Sequence, residues 1–214
     1  MNVPQISIPD IRDYERINAE LIELLHQGCP RVRLVGAEGQ RFLVSGLRGS
    51  WKALIEVEGR AGPELAAGLD APGVTVICRG AAADGAGRGL RDGRLLVCGD
   101  VGEGLGYAQE GGVIITNRNA GNRAGLNQKS GVLVVLGRVG RLAGERQSGG
   151  LIFVDGSGLG PHAGRGHRGG RLVRLGSASD ATPGELETLR GAVSGLAPWI
   201  DDAASLLAGG PSAS

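Results

Sequence analysis

The chain has 214 residues, room for one domain with appendages, and its formal net charge of +1 supplies no field for nucleic acid or an anionic membrane surface. Glycine contributes 41 residues, yet 41% of the chain is hydrophobic and no Gly-X-Y triplet runs through it, which excludes collagen and plain disorder. Aromatics make up only 3%, so the core falls to Val, Leu, Ile and Ala. Cys29, Cys78 and Cys98 are an odd number without a C-x-x-C pair, a pattern of buried thiols in a reducing compartment. The start MNVPQISIPDIRDYER lacks the basic-then-apolar order of a signal peptide, and no run reaches the roughly 18 apolar residues of a membrane span. A cytoplasmic protein is expected.

Residues 1–30 read as an N-terminal helical segment. Over 10–28, Ile11, Tyr14, Ile17, Leu21, Leu24 and Leu25 share one face at helical spacing, Asp10 can cap the first turn and Gly28 is a stop. From 31 to 176, short apolar runs alternate with glycine-rich turns on a fixed period. Gly87, Gly106, Gly125 and Gly144 stand 19 residues apart, as do Gly93, Gly112, Gly131 and Gly150, and Gly102, Gly121 and Gly140 keep the same step. Self-similarity of this kind marks a repeat architecture. Aligned on it, VTVICRG, RLLVCGD, VIITNRN, VLVVLGR, LIFVDGS and RLVRLGS each open one unit.

Nineteen residues are too few for a strand, a helix and two loops, so the economical solution is a mainly β solenoid. Equivalent strands then stack in parallel at about 4.8 Å per rung. Neighbouring columns Val76, Leu95, Ile114, Leu133, Ile152, Leu172 and Ile77, Leu96, Ile115, Val134, Phe153, Val173 are both apolar. Successive strand residues point to opposite faces. One column therefore lines the interior, and the other needs a cover, supplied by the terminal helices or by a partner subunit. Residues 177–207 read as a C-terminal helical segment, in which Thr182, Pro183 and Glu185 spell a capping box. Residues 208–214 read as a disordered tail.

The ordered series GDVGEGLGYAQEGG (99–112), NAGNRAGLNQKSG (119–131) and GRVGRLAGERQSGG (137–150) resembles the G-x-x-G-x-x-x-G repeats of the GXGXG domain. That domain ends the glutamate synthase large subunit. The likeness covers roughly residues 15–198 and is greatest to its free-standing version, encoded as a separate subunit. It implies a right-handed parallel β-helix that carries no catalytic residue, cofactor or metal of its own. The implied role is a scaffold between glutaminase and FMN-binding synthase-like subunits, with FMN and iron–sulfur clusters held only by those partners. Related domains form C subunits of formylmethanofuran dehydrogenase, formyltransferase/hydrolase and methylamine–glutamate methyltransferase complexes, so a one-carbon transfer complex is the alternative setting. An independent small-ligand-binding β-helix is a further one. Open sheet edges at the ends also make homo-oligomerisation a way to cover them.

One column departs from that pattern. Where relatives often carry Met or another bulky residue, this chain has Gln109, Gln128, Gln147 and then His167. Three glutamines at one step form a stacked ladder, facing either inward with amide-to-amide bonds or outward at the rim. Chemistry elsewhere is sparse. Residues 164–169 spell G-x-G-x-x-G without the strand–helix setting of a dinucleotide site. His162 and His167, with Arg165, Arg168 and Arg171, form either a solvated basic corner or a small anion-contact site. Two His without carboxylate or Cys partners are an incomplete metal set. Ser157 near His162 lacks a third triad member. Cys78 and Cys98 differ by one column, so their side chains face opposite sides and no disulfide joins them.

Overall fold

The computed structural model describes residues 3–155, 158–176 and 180–200. Nine strands form one all-parallel sheet in strict chain order: β1 (Gln5–Ser7), β2 (Arg31–Glu38), β3 (Ala53–Arg60), β4 (Asp70–Cys78), β5 (Asp92–Val97), β6 (Val113–Thr116), β7 (Val132–Val135), β8 (Ser148–Asp155) and β9 (Gly169–Leu175). The chain is a β-solenoid. Arg94 pairs with Val113, Val113 with Val132 and Val132 with Leu151, partners 19 residues apart. The partner of Leu151 is Arg171, so the last rung holds one extra residue.

The two apolar columns have the fates that alternation requires. Leu95, Ile114, Leu133 and Ile152 are fully buried in the main core, together with Leu65, Leu105 and the other turn residues that fill the column from the far side. Burying each such side chain contributes about 1.5–3 kcal/mol. Ile77, Leu96, Ile115, Val134, Phe153 and Val173 belong to a second cluster on the outer face of the sheet. Leu189 and Val193 of α3 (Pro183–Ser194), with Leu196 and Ile200 just beyond it, cover it. A terminal helix is therefore the lid. Its N-terminus carries the capping box: Thr182 Oγ1 accepts from Glu185 N, and the Glu185 carboxylate accepts from Thr182 N. Glu185 also takes Arg171 Nε of β9 at 2.9 Å, while the Arg94 guanidinium of β5 lies against Gly195 at the other end. The helix thus lies along the stack, across several rungs, with a guanidinium beside its C-terminal end.

The N-terminal segment is not simply helical. β1 adds a strand of three residues, with Gln5 paired to Arg33, 28 positions on, outside the 19-residue period. A single turn, α1 (Ile8–Ile11), follows it and ends at Arg12 in the left-handed region (φ 60°). Asp10 lies inside that turn and caps nothing further on. Asp13 caps α2 (Tyr14–His26), accepting from Glu15 N at 3.0 Å. The chain has to re-enter the extended region before a helix can start, and Asp13 is the residue that does so (ψ 115°). Gly28 does stop α2: with φ 80° it donates to Leu25 O while Cys29 donates to Leu24 O, a Schellman closure.

Ile17, Leu21 and Leu25 of α2 enter the main core, closing the N-terminal end of the column. Asn18 completes that closure. Its Nδ2 donates to Phe42 O at 2.8 Å and its Oδ1 accepts from Val44 N at 2.9 Å. In later rungs the equivalent of Val44 N reaches the carbonyl of the rung before, as Ala66 N does with Leu43 O. One side-chain amide therefore stands in for a rung of backbone.

Candidate functional site

The glutamines face inward. Gln109, Gln128 and Gln147 are all buried. Gln128 Nε2 donates to Gln109 Oε1 at 3.0 Å, and Gln147 Nε2 donates to Gln128 Oε1 at 2.9 Å. The spare amide protons go to backbone: Gln109 to Gly111 O, Gln147 to Gly150 O at 3.1 Å. Burying a primary amide costs free energy unless donors and acceptors find partners, and a one-rung step supplies them in series. The series is polar and ends unsatisfied. Gln147 Oε1 is buried and accepts no hydrogen bond among the described residues, the next rung carrying His167 in that column. The His167 ring sits with Nε2 3.0 Å from Gly170 O, bonded to its own turn.

The glycine columns serve two separate needs. Gly125, like Gly87, Gly106 and Gly144, has a left-handed backbone (φ 69°), and a Cβ there would strike the Ile152 side chain in the interior. Gly121, like Gly102 and Gly140, has no unusual φ; its Cβ would fall 2.9 Å from the Gly102 carbonyl carbon in the rung beneath. Gly93, Gly112, Gly131 and Gly150 combine a positive φ with close approach to the preceding rung. The periodicity gave no sign that other left-handed corners are held by residues with a Cβ: Ala108, Asn127 and Arg146, each at φ 54°.

The basic corner lies on the last turn, before β9. His162, Arg165, His167 and Arg168 are all exposed there. Arg171 is diverted to Glu185. The G-x-G-x-x-G stretch leads into β9 and not into a helix, so it has no helix N-terminus on which to seat a pyrophosphate. Ser157 lies outside the described residues. Among the described residues no group of three or more His, Cys, Asp or Glu is placed to hold a metal ion.

Charged side chains also stack by rung. Arg91, Glu110 and Lys129 form one flank column, and the hydrogen bonds of Lys129 and Arg91 hold the Glu110 carboxyl down at about 2. Glu56 is the buried member of a second set. Standing in the outer column below Ile77, it accepts from Arg31 Nε at 2.7 Å on one side and from Arg79 on the other. Burial pushes its carboxyl upward, but the Arg79 and Arg31 bonds outweigh that and leave it below the usual range. No motif in the sequence announced this triad.

The cysteines are divided by the sheet. Cys78 lies in the main core and Cys98 packs against the outer cluster, with no disulfide between them. Burial pushes the Cys78 thiol upward, away from the thiolate form. No helix among the described residues is long and apolar enough to cross a membrane. No family model, curated protein or solved structure matches the chain.

Proposed function

We propose that this chain is a structural subunit of a glutamate synthase-like complex, a rigid column that holds a glutaminase and an FMN-binding synthase-like subunit in register. The observation that carries this reading is how the G-x-x-G-x-x-x-G series is used. Its glycines fit one rung onto the next, its glutamines bond to one another inside the column, and its buried thiol is held protonated. The glycine and glutamine columns are committed to stacking, and only the basic corner of the last turn stays exposed. A column with a constant stride offers what a spacer between two reaction centres needs: fixed length and flat sides. In this reading the flavin and iron–sulfur groups reside in the partners, and ammonia passes between their sites rather than through this core.

Affinity capture of the tagged chain from its native extract tests the proposal. Copurification of a class II glutaminase and a flavoprotein is the expected result. Turnover of a small substrate by the isolated chain would overturn it, and capture of formyl- or methyl-transfer subunits would move the column to a one-carbon complex.

A further inference from the structure

The two ends of the column are finished differently. At the N-terminal end, α2 and Asn18 satisfy the first rung. At the other end, β9 is the outermost strand of the sheet. In each earlier rung three backbone N–H groups donate forward to the next rung. Val139 N reaches Gly158 O, Leu142 N reaches Pro161 O and Arg146 N reaches Arg165 O, repeating Ala120, Arg123 and Asn127 one rung before. Their counterparts on the last turn are Leu159, His162 and Gly166, and no hydrogen bond of the described residues uses those N–H groups. Leu159, Ala163 and Leu172, successors of the buried Val139, Ala143 and Ile152, are only partly covered. The last rung therefore presents unspent donors beside apolar surface, a combination that seeks acceptors.

Charge says which acceptors. Residues 158–176 contain four arginines, two histidines and no carboxylate. Arg165 and Arg168 join no ion pair among the described residues, and the Arg146 stem lies 3.4 Å from where a Cβ of Gly166 would stand, adding a third unpaired guanidinium to this end. The opposite end carries the reverse sign. The exposed charged side chains of α1, α2 and the Arg12–Asp13 link between them are Asp10, Asp13, Glu15, Glu20 and Glu23 against Arg12 and Arg16, a net of −3. Strict strand order places these ends at opposite poles, about 35–40 Å apart at the parallel-strand spacing.

We infer that copies of this chain associate head to tail, the basic last rung of one seated on the acidic helical cap of the next. Two basic ends facing each other would repel, as would two acidic caps; only the head-to-tail contact is complementary. Such a contact is heterologous, and with its two surfaces at opposite poles of a column it propagates as a linear stack and does not close a small ring.

Sedimentation velocity on the purified full chain tests this without any partner. In dilute salt, where the Debye length is about 30 Å at ~0.01 M, the mean mass should climb with concentration past twice the 21.8 kDa monomer and return to monomer at ~0.5 M salt. Two double variants of exposed residues each remove one end: Arg165→Glu with Arg168→Glu, and Glu20→Arg with Glu23→Arg. Each alone should stay monomeric with an unchanged circular dichroism spectrum. Mixed, they should associate again and climb in mean mass with concentration, since the acidic cap of one meets the intact basic rung of the other and the two reversed ends are themselves complementary. A monomer at every concentration in dilute salt overturns the inference. So does association that survives the Arg165/Arg168 change, or a variant that dimerises by itself.

Discussion

Replacing Gln128 with Leu puts the amide ladder to a quantitative test. The wild-type side chain donates to Gln109 Oε1 at 3.0 Å and accepts from Gln147 Nε2 at 2.9 Å. Leucine fills a similar volume but offers neither group. Gln147 Nε2 keeps the carbonyls of Gly149, Gly150 and Arg171, so its loss is small. Gln109 Oε1 has no substitute donor and is left stranded in a buried site, at about 1–3 kcal/mol. A more apolar side chain returns part of that. The expected net loss is about 2 kcal/mol, a fall of roughly 4–8 °C in Tm for a domain of this size. Thermal unfolding followed by circular dichroism, with urea midpoints as a check, reads it out. The triple change of Gln109, Gln128 and Gln147 to Leu strands no amide and should cost well under three times the single change. A Gln128→Leu protein that melts at or above the wild-type temperature would refute the reasoning, because the amides would then contribute nothing as a connected set.

Two further outcomes follow from the same accounting of partners. His167→Gln places an amide where Gln147 Oε1 lacks a donor, and it should raise Tm by about 2–4 °C; no rise in a melting curve would show that the stranded oxygen costs nothing. Glu56 carries a pH signature: its folded carboxyl titrates below the unfolded value near ~4.3, so its stabilisation is present above that value and fades as pH falls through the folded one. Glu56→Gln should therefore lose about 1–2 kcal/mol at neutral pH, both arginines being able to resolvate, and lose less than wild type on acidification; parallel acid profiles from urea titrations would count against it.

What the sequence disclosed, and what it withheld, follows from range. The 19-residue step separated the column of Ile114 and Leu133 from that of Ile115 and Val134 and required one inside and one covered, because a strand's alternation is local and the repeat multiplies it; which of the two lies inside came from the structure. Thr182, Pro183 and Glu185 announced α3 from three positions, since a capping box is closed within one turn. Nothing local marked Asn18, whose partners Phe42 and Val44 lie more than 20 residues away, nor the pairing of Glu56 with Arg31 and Arg79 from neighbouring rungs. The glutamine column was visible as a column, but its direction was not. It stands at a turn where positive-φ residues such as Gly106 and Ala108 recur at every second position, so strand parity does not say which side is in. β1 escaped because α1, α2 and their connections are inserted between it and β2, which breaks the stride that betrays the other strands.

The placement of α3 bears on how the molecule comes apart. Columns of near-identical units ordinarily melt in sections, since each touches only its neighbours. Here one amphipathic rod is anchored by Glu185 to Arg171 at its start and rests against Arg94 at its finish, with the outer faces of Leu96, Ile115, Val134 and Phe153 beneath it. Fraying any one of those layers exposes part of the rod's underside too, so the penalty is shared along its whole length. Layers β4 to β9 share that cover and are thereby bound into a single cooperative unit, while β2 and β3 depend chiefly on their own contacts and on the amino-terminal plug.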